Sequence, residues 1–147
     1  MRNSLKFWLD IKPHPQERIR ISFRRRQARA YYPEKTVEFQ SAIREMTREY
    51  MEEFGIPEYP KGVPLYLNVV FYLLRPKSAK RDYPTVRPDL SNYIKSLEDG
   101  MQRRSKNDDP SLIEDDSCIV RMVAEKRYVD DEHPEPGILV EIGQYDG

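Results

Sequence analysis

Asp89, Lys95, Asp99, Asp115 and Asp116 are the residues whose types and spacing suit them to chemistry. Carboxylates at the two ends of a loop can hold Mg²⁺, or Mn²⁺, against a phosphate. A lysine one helical turn away can offset the charge that develops in the transition state. Asp89 follows Arg87-Pro88 at a loop-to-helix junction, where an aspartate either caps the helix or turns its carboxylate outward to a metal. Lys95 and Asp99 are spaced i, i+4, which also suits an ordinary ion pair on a solvated helix face.

The elements that must position these side chains follow from periodicity. Leu90, Ile94, Leu97 and Met101 fall on one stripe, with Asn92, Lys95 and Asp99 opposite and Ser91 and Glu98 flanking them, so a helix is predicted from about Asp89 or Ser91. A polar loop over 102–110 leads to Asp115-Asp116 and then to a strand at Ile119 to Val129. A further strand is predicted at Ile138 to Ile142. Alternation along the first of these strands puts Lys126 on the side of Val120, Met122 and Ala124. It would either snorkel to the edge or reach the acidic cluster as a phosphate-binding cation.

Upstream, Leu65 to Leu74 is apolar enough for a central strand buried on both faces. Phe39, Ile43, Met46, Tyr50 and Phe54 mark a helix from about Thr36 to Phe54, stopped by Gly55 and Pro57. Two alternating segments, Leu5 to Ile11 and Ile19 to Phe23, read as strands joined as a hairpin across Pro13 and Pro15. Helices and strands mix without a regular βαβ repeat, which predicts an α+β fold with a mixed sheet and two main helices.

The 147 residues suffice for a single domain spanning the whole chain. One cysteine excludes an intramolecular disulfide framework and points to a reducing, cytoplasmic setting, and two histidines without a cysteine cluster offer no zinc spacing. No long apolar run suggests a membrane span or a signal peptide. The formal net charge is zero, yet its distribution is uneven. Basic residues outnumber acidic ones twelve to nine over 1–60 and ten to four over 61–107, whereas 108–147 has three against twelve. Arg18, Arg20, Arg24, Arg25, Arg26 and Arg29, beside Tyr31, Tyr32 and Lys35, form an arm suited to phosphates and unpaired bases. A second group, Arg75, Lys77, Lys80, Arg81 and Arg87, runs straight into the acidic motif and would deliver a nucleic-acid backbone to it.

With Phe71-Tyr72-Leu73, Arg75-Pro76-Lys77-Ser78, Arg87 through Lys95, Asp99, Asp115-Asp116-Ser117 and Glu125 through Tyr128 in this order, the chain resembles the RusA-type Holliday junction resolvases over most of its length. The family is common in phages and prophages. The resemblance implies an α+β homodimer that binds four-way DNA junctions and cuts paired strands symmetrically through Mg²⁺-held aspartates, in recombination or repair. It further implies that Asp89 and Asp116 are essential acids, that Lys95 is the catalytic lysine, and that Asp99 and Asp115 occupy other acidic positions. Ser91 departs from the pattern, standing where the family usually has aspartate; a neutral hydroxyl is a poorer Mg²⁺ ligand. Either Asp99 or Glu98 compensates, or Ser91 holds a metal-bound water, or the protein keeps junction binding without cleavage. Retained activity is the reading adopted, with Asp89, Asp116 and Asp99 as metal ligands and Ser91, Asp115 and Lys126 as supporting residues.

Overall fold

The computed structural model describes residues 4–24 and 26–147. Its elements are β1 (Ser4–Leu9), β2 (Arg20–Arg24), β3 (Gln27–Tyr31), α1 (Glu34–Phe54), β4 (Leu65–Leu73), α2 (Leu90–Met101), a 3-10 turn (Asp116–Cys118), β5 (Ile119–Tyr128) and β6 (Gly137–Gln144). Four strands form a mixed sheet in the order β1-β6-β4-β5, with β4 and β5 parallel and the other neighbours antiparallel. The fold is α+β, as the pattern of elements predicts.

Alternation and register build the core. Leu5, Phe7 and Leu9 of β1 stand opposite Ile142, Val140 and Ile138 of β6, which in turn face Leu67, Val69 and Phe71 of β4. These rows join Phe39, Ile43 and Met51 of α1 and Tyr93, Leu97 and Met101 of α2 in one buried cluster. Removing so much apolar surface from water is the main force that places the helices on this face.

Several expectations are corrected. The first two alternating segments do not pair with each other: β1 is an edge strand on β6, while β2 forms a separate two-stranded hairpin with β3. Strand β3, Gln-Ala-Arg-Ala-Tyr, lacks an apolar run and is hidden from a hydrophobicity reading. Strand β4 is central, but Tyr66, Asn68 and Val70 are only half-buried because one face alone carries helices. The pairing shifts between Leu65 and Tyr66, and Val120 lies 58 % exposed rather than on the side of Met122 and Ala124.

The buried stripe of α2 also differs from the predicted one. It comprises Tyr93, Ser96, Leu97, Gly100 and Met101, whereas Leu90 and Ile94 are only partly covered. Small residues take the inner position because α1 lies so close: a Cβ on Gly100 would stand 2.7 Å from Ile43 Cβ and 3.2 Å from the Gln40 carbonyl oxygen. Gly100→Ala would gain about 1 kcal/mol of helix propensity. Overpacking against Ile43 costs about 1–3 kcal/mol, so net destabilisation is expected. Urea unfolding checks this; an unchanged or raised midpoint would contradict so tight a helix contact.

Candidate active site

Helix α2 carries the polar face on which the acidic residues meet. Lys95 Nζ lies 3.2 Å from Asp99 Oδ1 and 3.6 Å from Asp116 Oδ2, so the ammonium bridges two carboxylates from separate segments. Gln102, just past the end of the helix, donates from Nε2 to Asp99 Oδ1 at 3.3 Å and to Asp116 Oδ2 at 3.4 Å. Its Oε1 accepts from the Asp116 backbone N–H at 2.9 Å. Glu98 completes the group through a hydrogen bond between its carboxyl and the Asp116 side chain.

The loop that returns Asp116 to α2 is long but well anchored. Arg48 on α1 donates to the Pro110 and Asp109 carbonyls and to Ser111 Oγ at 2.9–3.0 Å, and pairs with Asp108 at 3.2 Å. Arg103 grips Glu58 with two hydrogen bonds of 2.6 and 2.8 Å, a forked geometry that fixes both partners. Ile113 is fully buried and donates to the Met101 carbonyl at 3.1 Å. These contacts bring the chain back alongside the end of α2, two residues before Asp115.

Arg44 holds that end from the other side. Its buried guanidinium donates to the carbonyls of Asp99 at 2.7 Å and Gln102 at 3.3 Å, satisfying acceptors that a helix C-terminus leaves open. Neither Arg44 nor Gln102 stands out in the sequence. Arg44 lies off the apolar stripe of Phe39, Ile43, Met46, Tyr50 and Phe54, so periodicity gives no signal for its burial.

Of the remaining candidates, Asp89, Ser91 and Lys126 stand apart from this group, while Asp115 adjoins Asp116. Asp89 is the N-cap residue of α2 by its backbone, but its exposed carboxylate makes no capping hydrogen bond. Ten residues of helix separate it from Asp99, about 15 Å along the axis. Ser91 is exposed one turn before Lys95. Asp115 caps the 3-10 turn, accepting from the Ser117 N–H at 3.0 Å, and lies 4.0 Å from Lys61. Lys126 takes neither course weighed from the sequence: its ammonium donates to the carbonyls of Val86 at 2.9 Å and Pro88 at 3.0 Å. It thereby anchors the backbone that leads into Asp89.

Among the proposed nucleic-acid contacts, Arg18, Arg20, Arg24, Arg26 and Arg29 are exposed on or beside the β2–β3 hairpin, and Arg25 lies outside the described residues. Lys77, Lys80 and Arg87 are exposed in the loop before α2. Arg81 is engaged, donating to the Tyr128 hydroxyl at 2.8 Å. The segment that enters the hairpin is tied to the first turn of α2, since Gln16 N–H donates to the Asn92 carbonyl at 2.8 Å.

Glu98 resists ionisation. Burial first, then the charge of Asp116, pushes the Glu98 carboxyl up to about 7. Burial acts to lower the Lys95 ammonium, but its hydrogen bond and attraction to Asp99, with the charges of Asp116 and Glu98, outweigh this and raise it. The folded protein therefore keeps a Glu98 proton that the unfolded chain releases near 4.5, so this group's stabilisation is full below that value and is lost as pH rises towards about 7. In metal-free buffer the Tm of wild type should fall across this window, with the slope reduced in Glu98→Gln. Equal slopes in the two proteins would contradict the assignment.

The family model for Endodeoxyribonuclease RusA matches residues 10–143, which include both helices, Asp89 and the Lys95, Asp99 and Asp116 cluster. No curated protein matches the chain. With nearly the whole length covered, the chain belongs to the RusA endodeoxyribonuclease family.

Proposed function

We propose that the protein is a Mg²⁺-dependent, structure-specific endodeoxyribonuclease that resolves four-way DNA junctions by paired, symmetric phosphodiester hydrolysis in recombination or repair. The observation that carries this reading is the convergence of Lys95 and Asp99 with Asp116 from a distant loop, in a chain of an endodeoxyribonuclease family.

The donor chemistry fits a hard cation. Asp116, Asp99 and Glu98 offer carboxyl oxygens around the Lys95 ammonium. Among the described residues no three acidic, histidine or cysteine side chains form a ready-made metal cage. Mg²⁺ does not require one, because it keeps several waters and takes one or two carboxylates together with substrate phosphate. Asp116 and Asp99 would hold the ion, with Asp89 as a further acid at the entrance of the helix. Bound there, Mg²⁺ or Mn²⁺ would polarise the phosphate and acidify a water.

The chain's own residues do the rest. Lys95 stands between the carboxylates, where its ammonium offsets charge gathering on phosphate oxygens during hydrolysis. Lys126 holds the backbone before Asp89, and Lys77, Lys80, Arg81 and Arg87 carry positive charge along the approach. The hairpin arginines extend that surface from the first turn of α2. A homodimer with two-fold symmetry would present two equivalent sites to a two-fold junction, giving paired nicks. The buried, unpaired Cys118 suits a reducing, cytoplasmic compartment, and among the described residues no helix is long and apolar enough to cross a membrane.

The test is cleavage of a labelled four-way junction with Mg²⁺. Wild type should give symmetric nicks, and Asp116→Asn should lose activity by about a hundredfold or more, the scale set by removing one charge-stabilising group. Junction binding should persist or tighten in that variant, since a negative charge near the DNA is removed. Unchanged cleavage by Asp116→Asn would refute the site. Binding without cutting by wild type, with cutting restored by Ser91→Asp, would identify a junction-holding protein that has lost its chemistry.

A further inference from the structure

We infer that Gln102 is a positioning residue that sets the Asp116 carboxylate beside Asp99 and Lys95. The inference rests on the nuclease reading for its functional consequence, but its structural half stands alone.

Asp116 lies fourteen positions after Gln102, and the backbone-to-backbone hydrogen bonds that tie this loop to other segments reach as far as Glu114. Beyond Glu114, Asp115 turns its side chain back to the Ser117 N–H and towards Lys61. Gln102 spans the gap with both ends of one amide. Its carbonyl oxygen receives the Asp116 N–H, which fixes the backbone, and its NH₂ group reaches Asp99 Oδ1 and Asp116 Oδ2, which fixes the two carboxylates relative to each other.

Only an amide of this reach supplies both functions without changing the charge of the cluster. A lysine or arginine in its place would neutralise an acid that a cation needs; a carboxylate would accept the Asp116 N–H but repel both acids. The base of the Gln102 side chain is itself held, because its backbone carbonyl accepts from Arg44 and its N–H donates to the Glu98 carbonyl at 3.1 Å. The chain thus fixes the second acid through a neutral side chain on the same helix end that presents the first.

Two variants separate the functions: Gln102→Met removes every amide contact, and Gln102→Glu keeps the acceptor for the Asp116 N–H but loses the donors. Amide hydrogen exchange reads the backbone contact without DNA. The Asp116 amide should exchange at least about tenfold faster in Gln102→Met and remain protected in Gln102→Glu, with the Ile113 amide unaffected in both. Junction cleavage at saturating Mg²⁺ should fall about 10- to 100-fold in kcat in both variants, the range for residues that orient catalytic groups, with KM for the junction nearly unchanged. An Asp116 amide as protected in Gln102→Met as in wild type, or full kcat in that variant, would overturn the positioning role. A wild type that cuts no junction would remove the nuclease reading instead and leave the exchange result to decide the structural claim.

Discussion

The candidate site depends on how the last turn of α2 is held. Arg44 reaches from α1 to the carbonyls of Asp99 and Gln102, and Gly100 lets the two helices approach until their backbones nearly touch. A buried guanidinium without acceptors would be costly, and a helix end without donors likewise, so each satisfies the other. The outcome is a rigid platform whose outer face carries Lys95 and Asp99 in fixed rotational order. A loop pinned by Arg48, Glu58 and Ile113 then returns Asp116 to that platform.

On this platform the charges are not balanced for stability alone. Lys95 lies between Asp99 and Asp116, and Glu98 beside Asp116 is pushed up to about 7, first by burial and then by the Asp116 charge, so three acids share one ammonium. A site built only to fold would place an apolar residue or a second cation there. Excess acidity next to a basic approach is the arrangement expected where phosphate and a divalent cation meet. The hairpin supports the same view: it is an isolated pair of strands with Phe23 78 % exposed, and its arginines face solvent rather than the core.

Much of this was legible in the residues. The apolar periods locate both helices and strands β4, β5 and β6, and the spacing of Lys95 and Asp99 on one helix face follows from the 3.6-residue turn. What was hidden depended on residues that carry no hydrophobic signal. Strand β3 alternates Ala and Arg and carries no apolar period, so nothing in the sequence marks it as the partner of β2, and the expected hairpin falls between β1 and β2 instead. Ser96 and Gly100 lie on the buried stripe of α2 because of size, which a count of apolar residues does not weigh. Gln102 and Arg44 act through contacts 14 and 55 or more residues away in sequence, beyond the reach of any local pattern. Strand alternation sets Lys126 on an apolar side, but its partners, the carbonyls of Val86 and Pro88, come only from the folded chain.

The central claim is that the outer face of α2 and the Asp116 turn form one metal-binding centre. The direct test is a titration of isotope-labelled protein with paramagnetic Mn²⁺, followed by the loss of backbone amide signals. The account predicts that signals of Glu98, Asp99 and Gln102 broaden together with those of Asp116 and Ser117 at the lowest Mn²⁺ additions, and that excess Mg²⁺ restores them. Broadening confined to the acidic 130–135 segment, or to one of the two stretches without the other, would contradict it.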